Sequence, residues 1–171
     1  MPGYWSFLQE EARERPWVFF ALGPFLGSLT PTAEMSAWAR RTIEAFSSQF
    51  DIPVAYRILA AEASQDAIAF GKAAVRDRLP NHRWWRDYDS IDDRYHDWQR
   101  FTSEYFAALA QFLMRCIEHG DREAQDLLFT LFAEQDPSLQ VENLFGLRLQ
   151  LLAESRRLLP KRKPRYAVAV D

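Results

Sequence analysis

Apolar positions recur with a helical period along most of the chain, and the pattern is clearest between Ser90 and Gly120. That stretch contains no Pro or Gly before its last residue. Within it Trp98, Phe101, Tyr105, Leu109, Phe112 and Cys116 follow one another at steps of three and four, and Phe106, Leu113 and Ile117 widen the stripe. Ser90 supplies an N-cap, acidic residues crowd the first turn, and Gly120 falls at the C′ position. The spacing predicts one long amphipathic helix over about 91–119, roughly 43 Å at the helical rise per residue.

The same reading divides the rest of the chain. Residues 3–15 form a short helix that stops at Pro16, and an apolar turn follows. Thr30-Pro31 supplies a cap with Pro at N1 and opens a helix to about Gln49, with Met35, Trp38, Ile43 and Phe46 on its apolar side. Asp51-Ile52-Pro53 opens the next, an alanine-rich helix that Ser64 or Gly71 can interrupt and that Pro80-Asn81 ends. His82 to Asp89 is a loop carrying Trp84-Trp85, and the long helix comes after it. Asp121 caps a further helix, with Leu127, Leu128, Leu131 and Phe132 facing inward. Asp136-Pro137 restarts the chain into a last helix that Pro160 stops near Leu159. Only Tyr166–Val170 alternates like a strand. The expected fold is all-α: a single-domain bundle of six to seven mostly antiparallel helices over residues 1–159, followed by a basic, flexible tail over 160–171.

Composition agrees with one globular domain. Of 171 residues 48% are hydrophobic and 15% aromatic, too apolar for a disordered chain. A single cysteine excludes an internal disulfide and suits a reducing compartment, so a cytoplasmic location is expected; Cys116 lies on the apolar stripe and reads as a buried, inert thiol. Charge is unevenly spread. Arg156, Arg157, Lys161, Arg162, Lys163 and Arg165 place six positive charges within ten residues, while residues 1–155 hold fifteen basic and twenty-three acidic residues, a net of −8. An acidic body argues against a broad nucleic-acid surface, since phosphate contacts dominate that affinity.

Eighteen uncharged residues separate Arg15 from Glu34, close to the length of a membrane span. Pro16, Pro24, Pro31, Gly23 and Gly27 punctuate them, however, and the residues before them lack the basic region of an export signal. A buried apolar turn is the expectation, with shallow insertion of Trp17, Phe19, Phe20 and Phe25 into a membrane surface as the alternative.

Motifs that resemble catalytic or metal sites fail on geometry. Asp92-Asp93-x-x-x-Asp97 has the acidic composition of Mg²⁺ sites in helical isoprenoid enzymes, and Asp126, Thr130 and Glu134 partly imitate the second motif of that class. The first group starts the long helix, and the second lies about 18 Å back from that helix's far end, so the two stay apart. Asp93-x-x-His96 and Cys116-x-x-His119 each present two ligand types at i, i+3. Their histidines are nevertheless roughly 35 Å apart on one helix. There is no phosphate-binding glycine loop, Gly-x-Ser-x-Gly or His-Glu-x-x-His. No cofactor, metal or catalytic residue is therefore assigned.

The segment Arg83-Trp84-Trp85-Arg86 stands out, because adjacent tryptophans cannot both face inward from one regular element. Exposed aromatic and arginine side chains are the usual anchors of protein interfaces. The expected function is a non-enzymatic helical interaction module: an adaptor, inhibitor, immunity-type or regulatory subunit. Its contacts would be Arg83, Trp84, Trp85 and Arg86, with Lys161, Arg162, Lys163 and Arg165 as a second set. A protein partner is expected and a membrane partner is not; a homodimer is compatible. The alternatives are a small helical enzyme or ligand- or metal-binding protein using Asp92, Asp93, His96 and Asp97, and nucleic-acid binding through the tail alone.

Overall fold

The computed structural model describes residues 4–15, 17–45, 50–78 and 98–133, which form seven α-helices with no strand among them. The helices are α1 (Tyr4–Glu14), α2 (Trp17–Leu26), α3 (Ala33–Ala45), α4 (Asp51–Glu62), α5 (Gln65–Arg78), α6 (Trp98–Glu118) and α7 (Arg122–Ala133). The protein is an all-α helical bundle, as the periodicity predicts. Buried hydrophobic side chains from all seven helices join in one core.

The apolar segment after Pro16 departs from expectation. It is not a turn but the helix α2, despite Pro24 inside it. Proline removes one amide donor and crowds the carbonyl four residues back, a cost confined here to the last turn. The ladder resumes at once, since the Gly27 amide donates to the Gly23 carbonyl at 3.0 Å. Phe19 and Leu26 enter the core, and Trp17 and Phe25 do not.

Hydroxyls start two of the helices. Thr32 caps α3 two residues later than the Thr30-Pro31 reading, accepting from the Met35 amide at 3.3 Å through Oγ1. Ser64 does the same for α5, accepting from Ala67 at 3.1 Å. Ala63 just before it takes the left-handed conformation (φ 48°) and ends α4, so Ser64, and not Gly71, marks the interruption. Gly71 lies within α5 where the helix meets the Phe112 ring of α6, and a Cβ there would overlap that ring.

Helix α4 is buried on every side, with residues 52–60 all inside, and it packs against α2, α3, α5 and α6. The long helix α6 is described from Trp98; residues 91–97 of its expected span lie outside the described residues. Its end is a Schellman corner. Gly120 (φ 83°) donates to Ile117 at 2.8 Å, Asp121 donates to Cys116 at 3.1 Å, and Asp121 Oδ1 then accepts from Ala124 at 3.0 Å to start α7. The expected last helix and the 160–171 tail lie outside the described residues.

Candidate functional site

Helices α1 and α2 divide their aromatic residues between two faces. Trp5, Leu8 and Ala12 recur at helical spacing on the inner face of α1. Trp5 meets Phe19 of α2 and Trp38 of α3 with ring centroids 5.5 and 5.2 Å apart, and Phe19 and Trp38 stand 5.1 Å apart. This aromatic triad fixes the two helices on the bundle. Tyr4 and Phe7 point outward from α1. On α2, Trp17, Ala21, Pro24 and Phe25 fall at i, i+4, i+7 and i+8 and are all exposed, Trp17 by 56% and Phe25 by 49%. That stripe contains no polar side chain. A helix already anchored through its inner face thus shows an apolar outer face, which soluble monomers seldom display without a use.

A cleft of about 800 Å³ opens where the α2–α3 loop faces α4 and α6. It exists because the facing positions are small: Ala60 and Ala61 on α4 and Ala107 on α6. Arg57 lines it from α4 and is only 7% exposed, the one charged side chain in the buried class among the described residues. Its aliphatic stem rests on two glycines four apart, Gly23 in α2 and Gly27 just after it. A Cβ at Gly27 would sit 3.0 Å from Arg57 Cβ, and one at Gly23 would sit 3.6 Å from its Cδ. At the rim, Arg115 donates to Glu118 at 2.6 Å, with both side chains nearly half exposed.

The remaining charge cluster is architectural. Lys72 of α5 binds Asp121 at 2.6 Å and Glu123 at 2.8 Å, and Arg76 pairs with the same glutamate. Burial alone would lower the Lys72 pKa, but the hydrogen bonds it donates to both carboxylates, with their charges, override it and raise the value. Burial likewise pushes Asp121 upward and is outweighed by the Lys72 and Ala124 hydrogen bonds, leaving it lowered; Glu123 is lowered mainly by its hydrogen bond to Lys72. The cluster ties α5 to the α6–α7 corner. Cys116 beneath it is buried, and desolvation pushes its thiol up to about 12, so it offers no thiolate at neutral pH. His119 is exposed at the corner, and the Thr130 hydroxyl donates to the Asp126 carbonyl of its own helix at 2.9 Å. Among the described residues no group of three or more His, Cys, Asp or Glu could hold a metal ion.

Arg83, Trp84, Trp85, Arg86, Asp92, Asp93, His96, Asp97, Lys161, Arg162, Lys163 and Arg165 all lie outside the described residues. Two features emerge only in the structure, the outer face of α2 and the Arg57 cleft. Each left a trace in the sequence: the Trp17, Ala21, Phe25 spacing for the first, and for the second an arginine in the apolar run Ile52–Ala61 with Gly23 and Gly27 four apart. Comparison of the chain with protein-family models, curated proteins and solved structures returns no match.

Proposed function

We propose that this protein is a non-enzymatic helical interaction module that docks a protein partner on the outer face of α2, with Arg83–Arg86 and the basic tail as further contacts. The observation that supports it is the uncharged stripe of Trp17, Ala21, Pro24 and Phe25, exposed on a helix whose other face is locked by the Trp5–Phe19–Trp38 triad. Large aromatic side chains of this kind supply most of the binding energy of protein interfaces when a partner desolvates them. The partner is a protein with an apolar groove rimmed by basic residues, matching the net −8 of residues 1–155. The same negative charge disfavours an anionic membrane surface. No helix among the described residues is long and apolar enough to cross a membrane. A reducing, cytoplasmic setting fits the single buried cysteine.

The test is affinity capture by the full chain from extracts of its source cells, with Trp17→Ser/Phe25→Ser as the comparison. Both positions are half exposed, so far-UV circular dichroism is expected to stay unchanged while capture of a stoichiometric partner falls at least about tenfold, the loss of one anchor's binding energy. Trp84→Ala/Trp85→Ala measures the second contact in the same way. Equal capture by wild type and both variants rejects the reading.

A further inference from the structure

We infer, resting on the docking face proposed above, that the same protein partner extends past α2 and seats a large, uncharged apolar side chain in the cleft between the α2–α3 loop, α4 and α6. Stripe and cleft are then two halves of one interface, and the cleft holds an anchor that the partner supplies.

The two features adjoin in the structure. Ser28 falls eleven positions after Trp17, in helical register with Trp17, Ala21 and Pro24, and it lines the cleft. Hydrogen bonding of the helical kind carries on to this point. Gly27 donates to the Gly23 carbonyl at 3.0 Å, and the Ser28 amide donates to the Phe25 carbonyl at 2.9 Å. The Ser28 hydroxyl donates to that same carbonyl at 2.7 Å, so the backbone of the exposed Phe25 is bonded to the cleft wall. From Trp17 to Ser28 the face is roughly 16 Å long at the helical rise. A protein that covers it arrives at the cleft.

The lining selects what enters. Ala60, Ala61, Ala107 and Met114 supply an apolar wall, and methionine adapts to the shape set against it. About 800 Å³ is ample for a Leu, Met or Phe side chain. The charged residues of the lining are already engaged: Arg57 interacts within the protein, and Arg115 donates to Glu118 at 2.6 Å. A charged occupant would lose water there without gaining a counter-ion, whereas an apolar one gains by burial. Ser28, Thr30 and Gln111 are exposed on the lining and offer hydrogen-bonding groups to the polypeptide backbone that carries the anchor. Protein partners concentrate binding energy in this way, through a side chain desolvated in a pocket and ringed by polar contacts.

Photo-crosslinking in source cells tests this on the full chain, with a photoreactive phenylalanine analogue at position 111 on the α6 wall and, separately, at position 17. Both positions are exposed. Each is expected to capture the same polypeptide, different from this chain, and peptide mapping is expected to place the position-111 link in a segment that carries a large apolar residue. Ala61→Phe fills the cleft from its own wall. It is expected to lower the position-17 adduct at least about tenfold, the loss of one anchor, with helicity by circular dichroism unchanged. The position-111 result stands whether or not that variant folds. An adduct at position 17 with none at 111, the outcome for an empty cleft or a small-molecule pocket, overturns the inference and leaves the α2 docking face intact. No adduct at position 17 rejects the docking face, and the anchor with it. A position-111 adduct to a second copy of this chain or to a different polypeptide from that at 17 also overturns the anchor, as does an undiminished position-17 adduct in folded Ala61→Phe.

Discussion

Single side chains decide several features of this bundle, and Gly71 is the sharpest case. In an isolated helix Gly→Ala stabilises by about 1 kcal/mol. Here a Cβ would overlap the ring of Phe112, which is fully buried. Gly71→Ala is therefore expected to destabilise the protein by about 1–2 kcal/mol, the range for overpacking a dense core. Urea denaturation would show a lower midpoint at an unchanged slope. The sequence alone leaves Gly71 beside Ser64 as a possible interruption, because a glycine in a helix can mean a break or a close contact and only the neighbouring helix tells which. Cys116, by contrast, was fully legible: its place on a three–four repeat sets its burial, and burial sets its protonation. Arg57 was not legible as a cleft residue, since the alanines that open the cavity come from α4 and α6, far apart in sequence.

The boundary between α6 and α7 was legible from its capping residues, whereas features governed by tertiary contact were not. The α6–α7 corner follows from Gly120 and Asp121, a glycine in the left-handed region followed by a carboxylate that accepts from the next helix. Helix α2 was hidden because its apolar character runs all round and Pro24 reads as a breaker, whereas packing of Phe19 and Leu26 outweighs one lost hydrogen bond. The link between α5 and the corner, from Lys72 to Asp121 and Glu123, spans almost fifty positions and left no local signal. It gives a pH-dependent expectation. Both carboxylates are lowered from ordinary values of 3.8 and 4.5, so their contribution is complete above those values and lost as pH falls through the folded ones. Lys72 is raised above 10.5, so its share is complete below that value and lost only at higher pH. Lys72→Met is expected to cost about 1–2 kcal/mol at pH 7, the scale of a charged hydrogen bond in a mostly buried site. The gap from wild type should narrow below about pH 4 and close in stronger acid, as thermal unfolding across a pH series would show. A constant gap from pH 7 to pH 2 would mean that the lysine stem, and not the ion pair, carries the effect.

At the level of the molecule, the bundle is built to hold α2 in place rather than to enclose it. The core draws on all seven described helices, α4 sits at its centre, and α2 contributes two deeply buried side chains while keeping Trp17 and Phe25 outside. Along the sequence, the acidic residues 1–155 and the basic cluster at 156–165 differ in sign, and on the proposed reading the acidic body would suit a basic-rimmed apolar groove. The all-α class was plain from periodicity, because helical stripes report burial locally. The exposed aromatic face of α2 was not, because exposure of an aromatic residue depends on what the rest of the chain leaves uncovered. The direct measurement is photo-crosslinking in source cells, with a photoreactive phenylalanine analogue at position 17 and, as a control, at the exposed position of Arg41 on α3. Position 17 is expected to form one dominant adduct with a different polypeptide, and position 41 to form none. Identical patterns at the two positions, or adducts only with a second copy of this chain, would contradict a partner docked on α2.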